Sequence, residues 1–239
     1  MLSKNEAKYI QSLYHKKTRE DTGLFIAEGP KLLEELLKSS FEIKKIYALK
    51  TWIETKRISF PVEEITQAEL ERISHLSTPN KVLAVVKQKH GRPPGFEGRI
   101  TLVLDGIQDP GNLGTIMRVA DWFGVKNIVA SDHTVDVYNP KVIQSTMGSF
   151  CRVEMSYGNI ALLLSSTRVK KYGAVLNGSL VNESHKIQEG IVVIGSEGEG
   201  ISPEVLSTLD VALTIPGSGS AESLNAAVAA GIVLCYLTS

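Results

Sequence analysis

Cysteine is scarce in this sequence, and long apolar runs are missing from it. The two cysteines, Cys151 and Cys235, lack the paired spacing of a disulfide framework or of a cysteine-based zinc site. The longest apolar stretch, AAVAAGIVLCYL, is shorter than the roughly 18 residues that cross a membrane. The first residues also lack the apolar core of a signal peptide. These absences predict a cytoplasmic protein without a membrane segment.

The sequence also has no net charge, because 26 Lys and Arg balance 26 Asp and Glu. The two halves differ, however. Residues 1–100 hold 18 basic and 13 acidic side chains, whereas residues 101–239 hold 8 and 13. A basic half suits a domain that binds a polyanion, but a lysine-rich solvated surface accounts for the same count. Charge alone therefore favours the solvated surface over the polyanion-binding domain.

Strand-like and helix-like segments alternate on both sides of the stretch KHGRPPGFEGR. Its two prolines and three glycines are typical of a linker. We therefore predict a small α/β domain over residues 1–90, a linker over 91–99 and a second α/β domain over 100–239. Short β-branched strands between helices predict a largely parallel sheet in the second domain, with ligands bound at the carboxyl ends of its strands.

The segment DPGNLGTIMRVADWFGV follows a predicted strand that ends at Asp105. It predicts a loop from Asp109 to Gly114 and then an amphipathic helix. Arg118 is placed about one turn into that helix, within reach of whatever the loop holds. The alternative is a surface arginine paired with Asp109 or Asp121. The spacing G-x-x-G does not match the G-x-G-x-x-G of dinucleotide-binding loops, which argues against an NAD-dependent enzyme.

The segment GSEGEGIS follows a second predicted strand. It lacks the lysine of a phosphate-binding P-loop, and Glu197 and Glu199 would repel a phosphate. Carboxylates beside glycines suit hydroxyl groups, a cation or an arginine better. An ordinary tight turn with solvated acids is the alternative.

The segment IPGSGSAESLNAAVAAGI begins at the end of a third predicted strand, near Ile215. Ser220 or Glu222 is predicted to cap the final helix, with Ser223 and Asn225 in its first turn. Capping alone also explains the last two residues. Because the carboxyl ends of parallel strands meet at one edge, we expect the three glycine-rich segments to converge there.

Together, and in this order, the three segments resemble the motifs of the SpoU (TrmH-type) RNA ribose 2′-O-methyltransferases of the SPOUT superfamily. The first segment is similar to the first motif, VVIGSEGEGIS to the second and IPGSGSAESLNAAVAAGI to the third. FIAEGPKLLEELL is similar to the small substrate-binding domain that precedes the catalytic domain in many members. Ser196 and Gly217 depart from the family, which commonly has Asn and Met there, and both departures fall in the expected cofactor pocket.

The resemblance implies a SPOUT-type parallel sheet with a trefoil knot, which general rules on chain topology would reject. It also implies S-adenosylmethionine as cofactor, no metal, a homodimer that the apolar final helix suits, and RNA as substrate, ribosomal RNA rather than transfer RNA. The catalytic positions it implies are Arg118, Asn112, Glu197, Ser223 and Asn225. The cofactor-binding positions it implies are Asn177, Gly178, Gly195, Ile215 and Leu224.

The reaction implied is methyl transfer to a ribose 2′-hydroxyl, for which proximity is the main requirement. The family assigns removal of the hydroxyl proton to the arginine at position 118. A guanidinium has a pKa above about 12 and is a poor base at neutral pH, so the alternative role for Arg118 is a clamp on the RNA phosphate. Glu197 is expected to orient Arg118 or the ribose, and the three remaining catalytic positions complete the pocket.

Two other functions remain open at this point. One is a transfer RNA 2′-O-methyltransferase, and the other is a non-catalytic RNA-binding factor with the same fold. In each case the basic first domain is expected to hold RNA, and Lys16, Lys17 and Arg19 are the first candidates for the contact.

Overall fold

The computed structural model describes residues 2–56, 60–89, 91, 93 and 95–238. The described chain divides into two compact units, Met1–Lys89 with Tyr138–Cys151, and His90–Val137 with Arg152–Ser239. The predicted α/β class, with a small α/β unit beside a unit built on a parallel sheet, is confirmed. Among the described residues, no helix combines the length and the apolar character needed to span a bilayer.

The described part of the first unit forms a four-stranded sheet in the order β1–β4–β2–β3. Strand β4 runs antiparallel to β1 and β2, and β3 runs parallel to β2. The elements in chain order are α1 (Lys4–Ser12), α2 (Lys16–Thr22), β1 (Leu24–Glu28), α3 (Pro30–Leu37), β2 (Ile43–Leu49), α4 (Lys50–Ile53), β3 (Val62–Ile65), α5 (Gln67–Ile73) and β4 (Val82–Lys87).

Side-chain caps fix where α1 and α5 begin, and a proline marks the start of α3. Thr66 and Glu69 form a reciprocal capping box at the start of α5. Ser3 accepts a hydrogen bond from the Glu6 amide at the start of α1, and Pro30 occupies the first turn of α3, where its missing N–H is harmless. These caps let α1 and α5 pack their apolar faces, through Ile10 and Leu70, into one core cluster.

Arg19 has a structural role that the sequence did not reveal. Its side chain is only 2% exposed, and Nη1 donates hydrogen bonds to the carbonyl oxygens of Leu13 (3.2 Å) and Tyr14 (2.8 Å). The prediction that Arg19 contacts RNA is therefore wrong, because the guanidinium closes the turn between α1 and α2. Lys16 remains exposed, 3.6 Å from Glu20.

The described part of the second unit forms a six-stranded sheet in the order β10–β8–β9–β5–β6–β7. Every neighbouring pair is parallel, which confirms the predicted parallel sheet. The elements that follow β4 along the chain are β5 (Ile100–Asp105), α6 (Pro110–Trp122), β6 (Asn127–Ala130), α7 (Pro140–Thr146), β7 (Glu154–Tyr157), α8 (Ile160–Ser165), β8 (Lys171–Leu180), β9 (Gly190–Gly195), α9 (Pro203–Leu206), β10 (Val211–Thr214) and α10 (Ala226–Thr238).

Helix α7 and its flanks belong to the first unit, although β6 and β7 on either side lie in the second. The Phe25 ring contacts the rings of Tyr138 and Phe150, with centroids 4.6 and 5.9 Å apart, and the Tyr138 hydroxyl donates to the carbonyl oxygen of Lys89 (2.7 Å). The predicted second domain, residues 100–239, includes this segment, because neighbours in sequence are the basis of that prediction. Residues 92 and 94 of the predicted linker lie outside the described residues, and the predicted domain bounds stay a prediction.

Candidate active site

The carboxyl ends of β5, β8, β9 and β10 lie at one edge of the parallel sheet. Asp105, the last residue of β5, pairs with Gly195, the last residue of β9. The segment after β5 and the segment after β9 therefore start side by side. Side-chain hydrogen bonds join them to the segment after β10, so the predicted convergence of the three glycine-rich segments is confirmed.

The first segment is helical earlier than the sequence predicted. Asp109 caps α6, since its Oδ1 accepts a hydrogen bond from the Asn112 amide (2.8 Å), and Pro110 is the first helical residue. A Cβ at position 111 would lie 2.9 Å from the same capping oxygen, which explains Gly111. Asn112 and Gly114 thus lie in the helix, and the loop predicted to reach Gly114 is wrong.

The third segment places Asn225 at the start of α10. Its Oδ1 accepts hydrogen bonds from the amides of Ala227 (3.0 Å) and Val228 (3.3 Å), and the helix begins at the residue that follows it. The predicted caps Ser220 and Glu222 are therefore wrong. Ser223 precedes the helix and is exposed.

A chain of side-chain hydrogen bonds links the three segments. Asn225 Nδ2 donates to Asn112 Oδ1 (2.9 Å), and Asn112 Nδ2 donates to Glu197 Oε1. The helix cap fixes the orientation of both amides, because an Asn225 oxygen that accepts from the backbone leaves only its nitrogen to donate onward. Glu197 is thereby held as an acceptor, and its Oε2 makes no hydrogen bond to any described residue.

Glu197 sits on a tight turn between Ser196 and Gly200. These two residues exchange backbone hydrogen bonds of 3.0 and 3.1 Å, and Ser196 Oγ accepts from the Glu199 amide (3.2 Å). Ser196 therefore stabilises the turn through its hydroxyl group, as serine does in many turns. A Cβ at Gly195 would lie 2.1 Å from the Gly200 carbonyl carbon, so the turn folds back directly onto the end of β9.

Asp105 anchors this turn from the neighbouring strand, a role that was not predicted from the sequence. The residue is buried, and its Oδ2 accepts a hydrogen bond from the Ser202 amide (2.8 Å). The signal in the sequence was a carboxylate at the end of the otherwise apolar strand ITLVLD. Its position between two of the glycine-rich segments makes it a positioning residue for Glu197.

Arg118 is exposed on α6 and has no hydrogen-bond or ion-pair partner among the described residues. Asp121 instead binds Arg152 through contacts of 2.8 to 3.2 Å, and Asp109 caps the helix. The alternative of an arginine paired with Asp121 or Asp109 is therefore wrong. Arg118 lies six residues beyond Asn112, about 9 Å along the helix and about 240° around it, so it stands outside the hydrogen-bonded network.

Asn177, Gly178, Gly195 and Ile215, four of the positions expected to bind a cofactor, lie at the ends of β8, β9 and β10, and Leu224 lies two residues before α10. Pairing between β8 and β10 jumps from Gly173 to Ser179, so Asn177 and Gly178 bulge out of the ladder. A Cβ at Gly178 would lie 2.4 Å from the Ala212 carbonyl oxygen. Only glycine allows so close an approach of the two strands.

Apolar residues and an unused polar atom lie on the segments that form or follow these strand ends. Leu176 is 68% exposed and Leu224 is 45% exposed, and Ile215 is half-buried directly after β10. The hydroxyl oxygen of Thr214 is buried and has no hydrogen-bond partner within the described chain. Exposed leucines beside main-chain donors and acceptors suit a flat heteroaromatic ring carrying a sugar.

Comparison with known proteins identifies relatives for both units. Residues 99–235 match the SpoU rRNA Methylase family, and residues 4–84 match the MRM3-like substrate binding domain. The 23S rRNA (guanosine(2553)-2′-O)-methyltransferase RlmP of Bacillus subtilis is 32% identical over 237 residues, which are 95% of this chain and 93% of RlmP.

Two solved structures are similar over nearly the whole chain. A TrmH-family protein from Porphyromonas gingivalis is 37% identical, with a TM-score of 0.89, and the match covers 99% of this chain and 98% of that one. The SpoU methyltransferase AviRb from Streptomyces viridochromogenes, solved in complex with AdoMet, is 25% identical with a TM-score of 0.85. That match covers 98% of this chain and 97% of AviRb.

Proposed function

This chain belongs to the SpoU rRNA methylase family, and on that basis we propose that it methylates a ribose 2′-hydroxyl of RNA, using S-adenosylmethionine. The observation that carries the proposal is the network of Asn225, Asn112 and Glu197 at the edge of the parallel sheet. We further propose ribosomal RNA as the substrate, because the relative RlmP is named a 23S rRNA methyltransferase. The basic first domain of the chain suits a large RNA.

S-adenosylmethionine fits the residues at the ends of β8, β9 and β10. The adenine would lie against apolar side chains such as Leu224, and the unused Thr214 hydroxyl and main-chain groups offer polar partners. We assign its binding to Asn177, Gly178, Gly195, Ile215 and Leu224. When bound, the cofactor supplies a methyl group on a positively charged sulfur that a hydroxyl oxygen can attack.

The network would hold the ribose in place for that attack. Glu197 Oε2, which no described residue uses, is the acceptor we assign to the ribose hydroxyl. Asn112 and Asn225 keep the carboxylate in position through hydrogen bonds that start at a helix cap. Because the acceptor is fixed before the substrate binds, the reaction step does not carry the entropic cost of ordering it.

We assign Arg118 and Ser223 to the RNA side of the site. Both are exposed and stand outside the network. A guanidinium with no protein partner is free to bind an RNA phosphate in bidentate fashion. Proton removal by Arg118, the role implied by the family resemblance, remains the alternative.

We also propose a homodimer that forms through α6 and α10. Trp122, at the end of α6, is 84% exposed. On α10, Val228, Ile232 and Cys235 follow one another at helical spacing and are exposed or half-buried. Exposed apolar residues on packed neighbouring helices suit an interface with a second copy. The same proposal includes the trefoil knot and a cytoplasmic location. Two free cysteines are consistent with the reducing cytoplasm.

The test is a methyl-transfer assay on defined RNA. Purified protein is incubated with radiolabelled S-adenosylmethionine and with either transcribed 23S rRNA or a transfer RNA pool, and 2′-O-methylation is located by resistance to alkaline cleavage. Incorporation into 23S rRNA at one ribose is the expected result. Incorporation into transfer RNA alone would show that the substrate is transfer RNA and not ribosomal RNA. Binding of RNA without any transfer would favour a non-catalytic factor.

Replacing Asn112 by aspartate is expected to lower turnover about 100-fold at pH 8, because the donor to Glu197 is lost and two carboxylates face each other. A proton shared between the two carboxylates relieves this repulsion and becomes more populated as the pH falls. Part of the activity should therefore return at pH 6 relative to the native protein. A variant whose activity ratio to the native protein stays flat from pH 6 to 8 would show that the network does not position Glu197.

A further inference from the structure

An exposed aromatic stack lies in the first unit. The rings of Tyr14 and His75 are parallel, with centroids 3.5 Å apart and planes inclined by 7°. His75 is exposed although Tyr14 covers one of its faces. The exposed surface of the imidazole is therefore its other face and its edges.

A buried carboxylate fixes the Tyr14 ring of this stack and the residue that precedes His75. Glu28, at the end of β1, is buried, and its two oxygens accept hydrogen bonds from the Tyr14 hydroxyl (2.5 Å) and from the Ser74 hydroxyl. The Tyr14 hydroxyl also accepts from the His75 amide (3.2 Å). Burial and the Glu28 carboxylate raise the pKa of the Tyr14 phenol, which keeps it a donor. The stack is thus held in place before any ligand binds.

Two cations lie on the chain segments next to Glu28. Lys31 follows it by three residues, and Lys81 precedes Val82, whose carbonyl oxygen accepts a hydrogen bond from the Gly29 amide (2.8 Å). Both lysines are exposed, and neither has an ion-pair partner within the described chain. Other lysines of this unit, such as Lys45 and Lys56, are paired with glutamates. Positive charge without an acidic partner in the described chain is therefore available on the two segments that adjoin Glu28.

We propose that the open face of His75 stacks an unpaired base of the RNA substrate, while Lys31 and Lys81 bind the flanking phosphates. This inference rests on the proposed RNA methyltransferase function. Aromatic planes beside basic side chains are the usual means of holding single-stranded RNA. Because the Tyr14 ring, itself fixed by Glu28, already stacks on the imidazole, less side-chain entropy is lost when a base binds to His75.

The test uses a uridine nonamer with one central 2-aminopurine, whose fluorescence is quenched by stacking. Binding to the native chain is expected to quench this signal. His75→Ala should abolish the quenching and weaken binding roughly 5- to 150-fold, whereas His75→Phe should bind within about threefold of the native chain. His15→Ala is the matched control, because His15 is also exposed and its side chain makes no cap hydrogen bond at the start of α2.

A second oligonucleotide, with an abasic ribose at the central position, separates stacking from a structural effect. Removing the base should weaken binding to the native chain. It should not change binding to His75→Ala, because removing the base and removing the imidazole abolish the same stacking contact. Equal losses in both proteins, an absence of quenching with the native chain, or a His15→Ala effect as large as that of His75→Ala would each overturn the proposal.

The lysines have their own readout in the dependence of this binding on salt. Lys31→Gln and Lys81→Gln should each reduce the slope of log affinity against log salt by about 0.7, the value for one single-strand phosphate contact. Unchanged slopes would remove the two lysines from the site. Methyl transfer to 23S rRNA is measured in parallel. Base-dependent binding without methyl transfer would refute only the proposed reaction. Methyl transfer without base-dependent binding would refute only the stacking site.

Discussion

Arg118→Ala is expected to lower the rate of methyl transfer by about 10²-fold or more, because loss of the phosphate contact lets the ribose move out of its reactive position. Affinity for S-adenosylmethionine should stay unchanged, because Arg118 stands outside the strand ends assigned to the cofactor. The expectation follows from its exposure and from the lack of a partner among the described residues. Its charge stabilises nothing in the described chain, so little stability should be lost. Single-turnover transfer to 23S rRNA and calorimetric titration of the cofactor measure the two effects.

Arg118→Lys separates the two roles considered for this arginine. A lysine can still attract a phosphate, so a positioning role predicts partial activity that changes little with pH. As a base, a lysine with an ordinary pKa of about 10.4 would lose its proton more readily than a guanidinium as the pH rises, so activity would climb steadily above pH 8. Arg168→Ala is the control, since Arg168 is equally exposed in the same unit. Equal losses in Arg118→Ala and Arg168→Ala would refute a specific role.

Gly195→Ala is expected to abolish cofactor binding and to reduce methyl transfer at least 100-fold. The added Cβ would lie 2.1 Å from the Gly200 carbonyl carbon and 2.3 Å from the Ile201 amide nitrogen, both of them backbone atoms. The turn must therefore open. Opening it would break the hydrogen bonds between Ser196 and Gly200, move Glu197 away from Asn112 and disturb the contact from Asp105 to Ser202.

Gly198→Ala is the matched control for this substitution. Gly198 lies in the same turn, and a Cβ there would meet nothing within 4 Å. It should keep cofactor affinity and activity within about twofold of the native chain, as surface substitutions usually do. Circular dichroism confirms that both variants are folded. Native cofactor affinity in folded Gly195→Ala would show that the turn takes no part in the pocket.

The sheet and the convergence of its loops were predictable because they follow from general rules of chain geometry. Short β-branched segments such as ITLVLD and IVVIG, separated by helices, specify parallel strands, and parallel strands bring their carboxyl ends together. The segments that carry Asn112, Glu197 and Asn225 therefore had to meet. Which atoms bond to which was not predictable, since it depends on where each helix starts to within one residue.

The predictions were wrong where a tertiary contact, and not the local sequence pattern, determines the role of a residue. Arg19 looked like a surface cation, but two carbonyl oxygens of the preceding turn bind its guanidinium. Asn225 looked like a first-turn residue, but it caps α10 and thereby orients Asn112. Both arrangements depend on partners that neither periodicity nor composition encodes. Similarly, Arg118 can be placed on a different helix face from Asn112 only once the first residue of α6 is known.

The discontinuous first unit also bears on how the chain is synthesised. Phe25 is made early, but its ring partners Tyr138 and Phe150 are not yet translated when Lys89 is complete. At 5 to 20 residues per second, the ribosome needs roughly 3 to 12 s to add the intervening residues. During that interval the aromatic surface of the nascent chain remains uncovered. A fragment that ends at residue 98 should keep it uncovered permanently and bind an apolar dye, and nascent chains should need chaperone protection until residue 151 has emerged.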